Sequence, residues 1–102
     1  MVAENGLGAR DRVDSGEHIH DEYRISYLER HMKQAELAAL EGVDMEAYFV
    51  WGVIDIVSAG SCEMEKRYGV VYVDADNEGR GSYKRLRKDS YYWLHDFIAS
   101  RK

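Results

Sequence analysis

The chain has 102 residues, enough for at most one domain, and its 45% apolar and 32% charged content is that of an ordinary globular protein. A formal net charge of −5 argues against general nucleic-acid binding, since neutralising a phosphate backbone takes a surplus of Lys and Arg. No apolar run approaches the roughly 18 residues that span a bilayer, the first residues lack a signal peptide's apolar segment, and a single cysteine, Cys62, excludes an intrachain disulfide; the expected compartment is the cytoplasm.

In chain order, Met1 to Gly8 (MVAENGLG) reads as the last residues of a strand followed by a loop, so part of the fold is expected to lie upstream. Ala9 to His20 is polar, contains glycine and has no sustained period, which predicts a surface loop. Asp21 suits the N-cap of a helix running to about Glu41, with Gly42 able to take the left-handed conformation that ends it. Leu28, Met32, Ala35 and Ala39 recur at spacings of four, three and four, one apolar stripe, and Glu29 with Lys33 forms a favourable pair on the outer side.

Met45 to Asp74 is the most informative stretch. Ala47, Tyr48, Phe49, Val50 and Trp51 form a near-continuous apolar run, as in a parallel strand buried on both faces, so that strand, helix and strand make most of a right-handed βαβ unit. A small-residue loop follows (Ser58, Ala59, Gly60, Ser61, Cys62), then Lys66, Arg67 and Tyr68, then a second strand from Gly69 to Asp74. Loops just beyond the carboxyl ends of such strands are where α/β proteins place binding chemistry. Ala75 to Ser82 reads as a turn and Tyr83 to Leu86 as an antiparallel return. Asp89 or Ser90 is expected to cap a last helix whose buried side is Trp93, Leu94, Phe97 and Ile98.

Three motifs occur in one order: Glu4-Asn5-Gly6 at a strand end, Trp51 with Asp55 four residues on, and Lys66-Arg67-Tyr68-Gly69 ahead of Val71-Tyr72-Val73-Asp74. Together they resemble glycoside hydrolase family 1, the retaining β-glycosidases built on a (β/α)8 barrel. Within that family the chain is similar to the C-terminal part of 6-phospho-β-glucosidases, and the segment with Lys88, Ser90 and Trp93 continues the likeness. The resemblance implies an α/β fold that is the incomplete C-terminal portion of a TIM barrel: the end of strand 7, helix 7, strand 8, a β-hairpin and helix 8, in a single partial domain over 1–102.

It further implies that Glu4 corresponds to the catalytic nucleophile, which attacks the anomeric carbon while a second carboxylic acid protonates the leaving oxygen. The family's acid/base glutamate lies on an earlier strand, and none of Glu17, Glu22, Glu29, Glu36, Glu41 or Glu46 stands in a matching motif. Trp51 resembles the tryptophan on which the sugar ring stacks. Ser58 stands where ordinary members carry a glutamate that binds sugar hydroxyls, and a carboxylate there would repel a 6-phosphate by roughly 4 kcal/mol for unit charges 4 Å apart at an effective dielectric of 20. Lys66 and Tyr68 match the residues that hold the phosphate. Gly60 stands where some members place a phosphate-binding serine, which leaves Ser58, Ser61 or a backbone N–H of the loop to supply that contact. Ala59 leans toward a gluco-configured substrate.

Read without the motifs, Lys66 and Arg67 also fit a solvated pair, Tyr68 half-buried packing and Trp51 a core residue. His18 and His20 beside Asp21 and Glu22 read as solvated loop residues, and the resemblance implies no metal and no cofactor. The expected partner is a phosphorylated β-glucoside, with neither nucleic acid nor membrane; the other partner is the N-terminal part of the barrel. Without it, exposed apolar edges favour marginal folding or self-association. A second reading is a non-catalytic remnant or a small phosphate-binding protein.

Overall fold

The computed structural model describes residues 1–101, in the order β1 (Val2–Asn5), α1 (Glu22–Leu40), β2 (Tyr48–Val50), β3 (Val71–Val73), β4 (Arg85–Arg87) and α2 (Asp89–Ser100). β1 and β2 are parallel, with Val2 opposite Tyr48 and Asn5 opposite Val50, and α1 is the crossover between them. The Val2 N–H donates to the Ala47 carbonyl (3.0 Å) and the Trp51 N–H to the Asn5 carbonyl (2.7 Å). This is the expected strand, helix, strand arrangement.

β2 departs from expectation in length and burial. It spans three residues rather than Met45 to Trp51, and Phe49 is 53% exposed. A parallel strand is buried on both faces only when layers cover both. Here one face of β2 looks into an apolar cleft of about 760 Å³, bounded by Met32 and Ala35 of α1, Phe49 of β2, and Leu94 and Phe97 of α2. The same cleft explains why the α1 stripe is buried at Leu28 and Met32 but exposed at Ala39. It also explains why Trp93, Leu94 and Phe97 are only half-buried and Ile98 is 52% exposed, against the fully buried side expected of α2.

α1 ends as its sequence predicts, with Gly42 at φ +106° just beyond the Glu41 C-cap. Its start differs. Asp21 occupies the N-cap position, but its side chain makes no capping bond to the backbone of its own helix. The carboxylate turns to the Arg24 guanidinium (2.6 Å) and accepts the Ser90 N–H (2.9 Å) and the Ser90 hydroxyl, so it caps α2 instead. Neither Asp89 nor Ser90 is the cap of α2; the N-cap position is Lys88, which has no side-chain cap bond.

β3 and β4 form the expected antiparallel hairpin, pairing Val71 with Arg87 and Val73 with Arg85. The return strand begins at Arg85 rather than Tyr83 because Tyr83 itself has φ +59° and belongs to a turn braced by Asp74 and Asp76. The segment 9–20 is not simply a surface loop. Ala9 pairs with Arg67, Ile19 is 1% exposed, and the Asp11 side chain is fully buried.

Asp11 belongs to a buried ionic cluster at the centre of the molecule. The Lys88 ammonium contacts Asp11 (2.5 Å), Asp55 (2.9 Å) and the Gly69 carbonyl (2.6 Å). Arg24 bonds Asp11 (3.0 Å) and Asp21, and donates to the Arg67 carbonyl (2.9 Å). The Arg67 guanidinium lies 3.3 Å from Asp55 and donates to the carbonyls of Val73 and Ala75. Three aspartates face three cations, so the formal charges cancel, as buried charges require. Arg67 is therefore not half of a solvated pair.

Candidate functional site

A cleft of about 380 Å³ opens at the carboxyl ends of the two parallel strands, where β1 delivers Glu4 and Asn5 and β2 runs into Trp51. The pleat and register put these residues side by side, because the bond from Trp51 N–H to Asn5 carbonyl closes the pair just as each strand ends. Glu4 is exposed and free to meet a ligand. The Asn5 amide is held on both sides, its oxygen accepting from the Tyr48 hydroxyl and its nitrogen donating to the Tyr27 hydroxyl (3.4 Å).

The far wall comes from the small-residue loop. Ser58 is buried, its N–H donating to the Glu63 carbonyl (2.9 Å) and its carbonyl accepting the Cys62 N–H (2.8 Å), so a tight turn presents Ala59 and Gly60 to the cleft. The Ser61 N–H lies 3.5 Å from the Ser58 hydroxyl, but Ser61 is exposed and is not among the residues lining the cleft. Tyr68 closes the remaining side. Its ring and the Lys66 side chain both lie against Gly8, where an added Cβ would come within 2.6 Å of the ring and 2.9 Å of the lysine stem. The Lys66 ammonium is 5.8 Å from the Tyr68 ring centroid, beside the cleft rather than in its wall.

Of the six residues singled out from sequence, Glu4, Trp51, Ser58 and Tyr68 share one cleft, Lys66 adjoins it through Tyr68, and Ser61 is next to the lining residue Gly60 without lining the cleft itself. Asn5 and Tyr27 line it too. Asn5 stood inside the Glu4-Asn5-Gly6 motif without a role, and its place at the strand end was the available signal. Tyr27 gave none, since an aromatic one position off a helix stripe reads as packing.

A family model described as glycosyl hydrolase family 1 matches residues 1–102. The chain belongs to glycosyl hydrolase family 1. Among curated relatives of this family 1 chain, the 6-phospho-beta-glucosidase of Dickeya chrysanthemi is 50% identical over 100 residues, covering 98% of this chain and 22% of that protein. The aryl-phospho-beta-D-glucosidase BglH of Bacillus subtilis is 48% identical over 100 residues, 98% of this chain and 21% of the relative. The family 1 b-glucosidase of Thermotoga maritima superposes with a TM-score of 0.82 at 38% identity, over 94% of this chain and 20% of that one. The chain thus spans about a fifth of the length of the relatives it matches, and its α/β architecture is a piece of the barrel fold those structures share.

The family 1 cleft is positioned by the ionic cluster beneath it. Asp55, four residues after Trp51, accepts from the Gly69 N–H (2.9 Å) and from Lys88, fastening the tryptophan loop to the segment that carries Lys66 and Tyr68. Burial pushes the Asp55 carboxyl above the usual aspartate range, against the pull of Lys88. Burial also pushes the Asp11 carboxyl up, but the Lys88 and Arg24 cations outweigh it and hold Asp11 below its ordinary value. Arg67 is committed to backbone carbonyls and Asp55, whereas the Lys66 ammonium stands over the Tyr68 ring beside the cleft.

Proposed function

We propose that this chain is the C-terminal part of a 6-phospho-β-glucosidase barrel, with β1 and α1 as strand 7 and helix 7, β2 as strand 8, and the β3–β4 hairpin and α2 completing the wall. The reading rests on one observation above the others: a free carboxylate, an aromatic face, a buried serine and a tyrosine with an ammonium beside it line or adjoin one cleft. The names of the relatives, phospho-β-glucosidases at 46–50% identity, support the phosphorylated substrate.

Glu4 attacks the anomeric carbon and a second carboxylic acid gives its proton to the departing aglycone oxygen, leaving a glycosyl ester on Glu4. Water then hydrolyses the ester, with the second group now acting as base, and releases the 6-phospho-sugar with retained configuration. The two carboxyls must stand about 5 to 5.5 Å apart, and among the described residues lining the cleft Glu4 is the sole carboxylate. The chain by itself is therefore inactive, and the acid/base group comes from the rest of the barrel. Trp51 offers its face to the sugar ring, Lys66 and Tyr68 hold the phosphate, and Ser58 with the Ser58–Gly60 backbone, which line the cleft, takes the remaining contact. Both reacting groups are carboxyls, so the reaction calls on no cofactor.

The test is hydrolysis of a chromogenic 6-phospho-β-glucoside by this chain joined to a complementing N-terminal barrel fragment. Activity is expected for the pair and not for either alone. Glu4→Gln should abolish it, and Lys66→Gln should raise KM for the phosphorylated substrate about 10- to 100-fold, the weight of one charge-assisted contact. An unchanged KM for Lys66→Gln would overturn the phosphate assignment, and activity surviving Glu4→Gln would overturn the nucleophile.

A further inference from the structure

On the side of the molecule where the loop before α1 meets the start of α2, Asp14, His18 and His20 bring three donor atoms within 4.8 Å of one another. We propose that they form a binding site for a first-row divalent transition-metal ion, Zn²⁺ above all, that ties this loop to the first turn of α2. The sequence leaves these histidines as solvated loop residues because Asp14, the group that unites them, lies four and six positions away.

The carboxylate is fixed in place. Asp14 Oδ1 accepts the N–H groups of Gly16 and His18, both at 2.9 Å, and the Asp14 N–H donates to the His18 carbonyl (2.9 Å). Oδ2 takes no backbone bond and faces His20 Nε2 at 3.0 Å. On its other side the same imidazole sets Nδ1 2.8 Å from Asp89 Oδ2. A neutral imidazole carries one N–H and can satisfy only one carboxylate. With that proton on Nδ1 toward Asp89, Nε2 turns a lone pair toward the Asp14 oxygen, and the close approach is satisfied either by a second ring proton or by a metal ion that takes its place. A carboxylate behind a histidine that points its other nitrogen forward is the arrangement that orients metal-binding imidazoles and raises their basicity.

The spacing suits a small ion. Tetrahedral bonds of about 2.0–2.1 Å put neighbouring ligand atoms about 3.3–3.4 Å apart; His20 Nε2 lies 3.0 Å from Asp14 Oδ2 and His18 Nδ1 3.8 Å from Asp14 Oδ1, and with the donors spread over up to 4.8 Å a small side-chain rotation of the exposed histidines brings them onto one ion. Two imidazoles with one carboxylate favour zinc, nickel or copper over calcium or magnesium, which prefer all-oxygen shells. All three side chains are open to solvent, which gives the ion an entry path and leaves a fourth position to water.

The experiment is a calorimetric titration of the intact chain with Zn²⁺, with Co²⁺ absorption to report geometry. One equivalent should bind with a dissociation constant on the order of micromolar, with tetrahedral Co²⁺ bands and no thiolate charge transfer. His20→Gln and Asp14→Asn should each weaken it at least 10-fold, and Asp89→Asn, acting through His20, about 10-fold. Because these side chains are exposed or half-buried, circular dichroism of the variants should match the parent. His31→Gln and Cys62→Ser should leave binding unchanged. Absence of saturable binding in the parent chain, retained affinity in His20→Gln, or loss in Cys62→Ser overturns the site.

Discussion

Lys88 joins three segments that are far apart in sequence. Its fully buried ammonium touches Asp11 ahead of α1, Asp55 in the tryptophan loop and the Gly69 carbonyl before β3. Lys88→Met would leave two buried carboxylates without their nearest cation, a loss of about 3–5 kcal/mol, which is a large share of a small domain's stability of about 5–15 kcal/mol. Urea denaturation followed by circular dichroism should show the midpoint collapsing; a change below about 1 kcal/mol would contradict the role given to the cluster. Of the cluster, Asp55 and Lys88 were visible beforehand in recognisable motifs. Their mutual contact was not, because 33 positions separate them and each alone reads as a surface charge.

Among the elements, the hinge of the site is Gly69. It runs so close to the tryptophan loop that a Cβ would sit 2.7 Å from the Asp55 nitrogen and 2.7 Å from the Ile54 carbonyl carbon, both backbone atoms that cannot swing aside. Gly69→Ala should therefore push the two segments apart, break the bond from the Gly69 N–H to Asp55, and cost about 1–3 kcal/mol. The expected readout is a lowered melting temperature together with faster amide exchange at Asp55 and Val70, whose N–H groups donate across this junction. Unchanged exchange there would show that the junction absorbs the methyl group. The helices make the complementary point: the 3.6-residue period placed α1 and α2 correctly, while the cap of α2 came from Asp21, a residue of the other helix.

Over the whole molecule, the radius of gyration is 14.7 Å and the extents are 47 × 29 × 19 Å, against about 13 Å for a compact chain of this length. The excess follows from the open apolar cleft, which leaves Phe49, Val53 and Ile98 more than half exposed. With so little apolar burial, the buried charges weigh heavily, and stability should follow pH through them. Asp55, raised by burial, favours the folded chain as acid is added from its folded pKa down to the ordinary aspartate value of 3.8. Asp11, which Lys88 and Arg24 hold low against the upward push of burial, and Asp74, held low by the Ser82 hydroxyl and N–H, act with the opposite sign. Their contribution is complete above the unfolded value and disappears as pH falls through their folded values. Melting temperature should thus be flat or rise slightly as pH falls toward the ordinary aspartate value and then fall below it, and Asp11→Asn should blunt that fall. A melting temperature still climbing below about pH 3 would be inconsistent with this balance.

By itself the sequence determined the family, the order of elements and four of the residues that line the cleft, Glu4, Trp51, Ser58 and Tyr68, because apolar period, helix stops and short motifs are local signals that neighbouring residues write together. Tertiary structure alone decided that Arg67 and Lys88 turn inward, that Asp21 caps the distant helix, and that β2 and α2 keep an apolar side uncovered. Each of these depends on which groups meet across the fold, and a buried charge finds its partner by geometry rather than by its place along the chain.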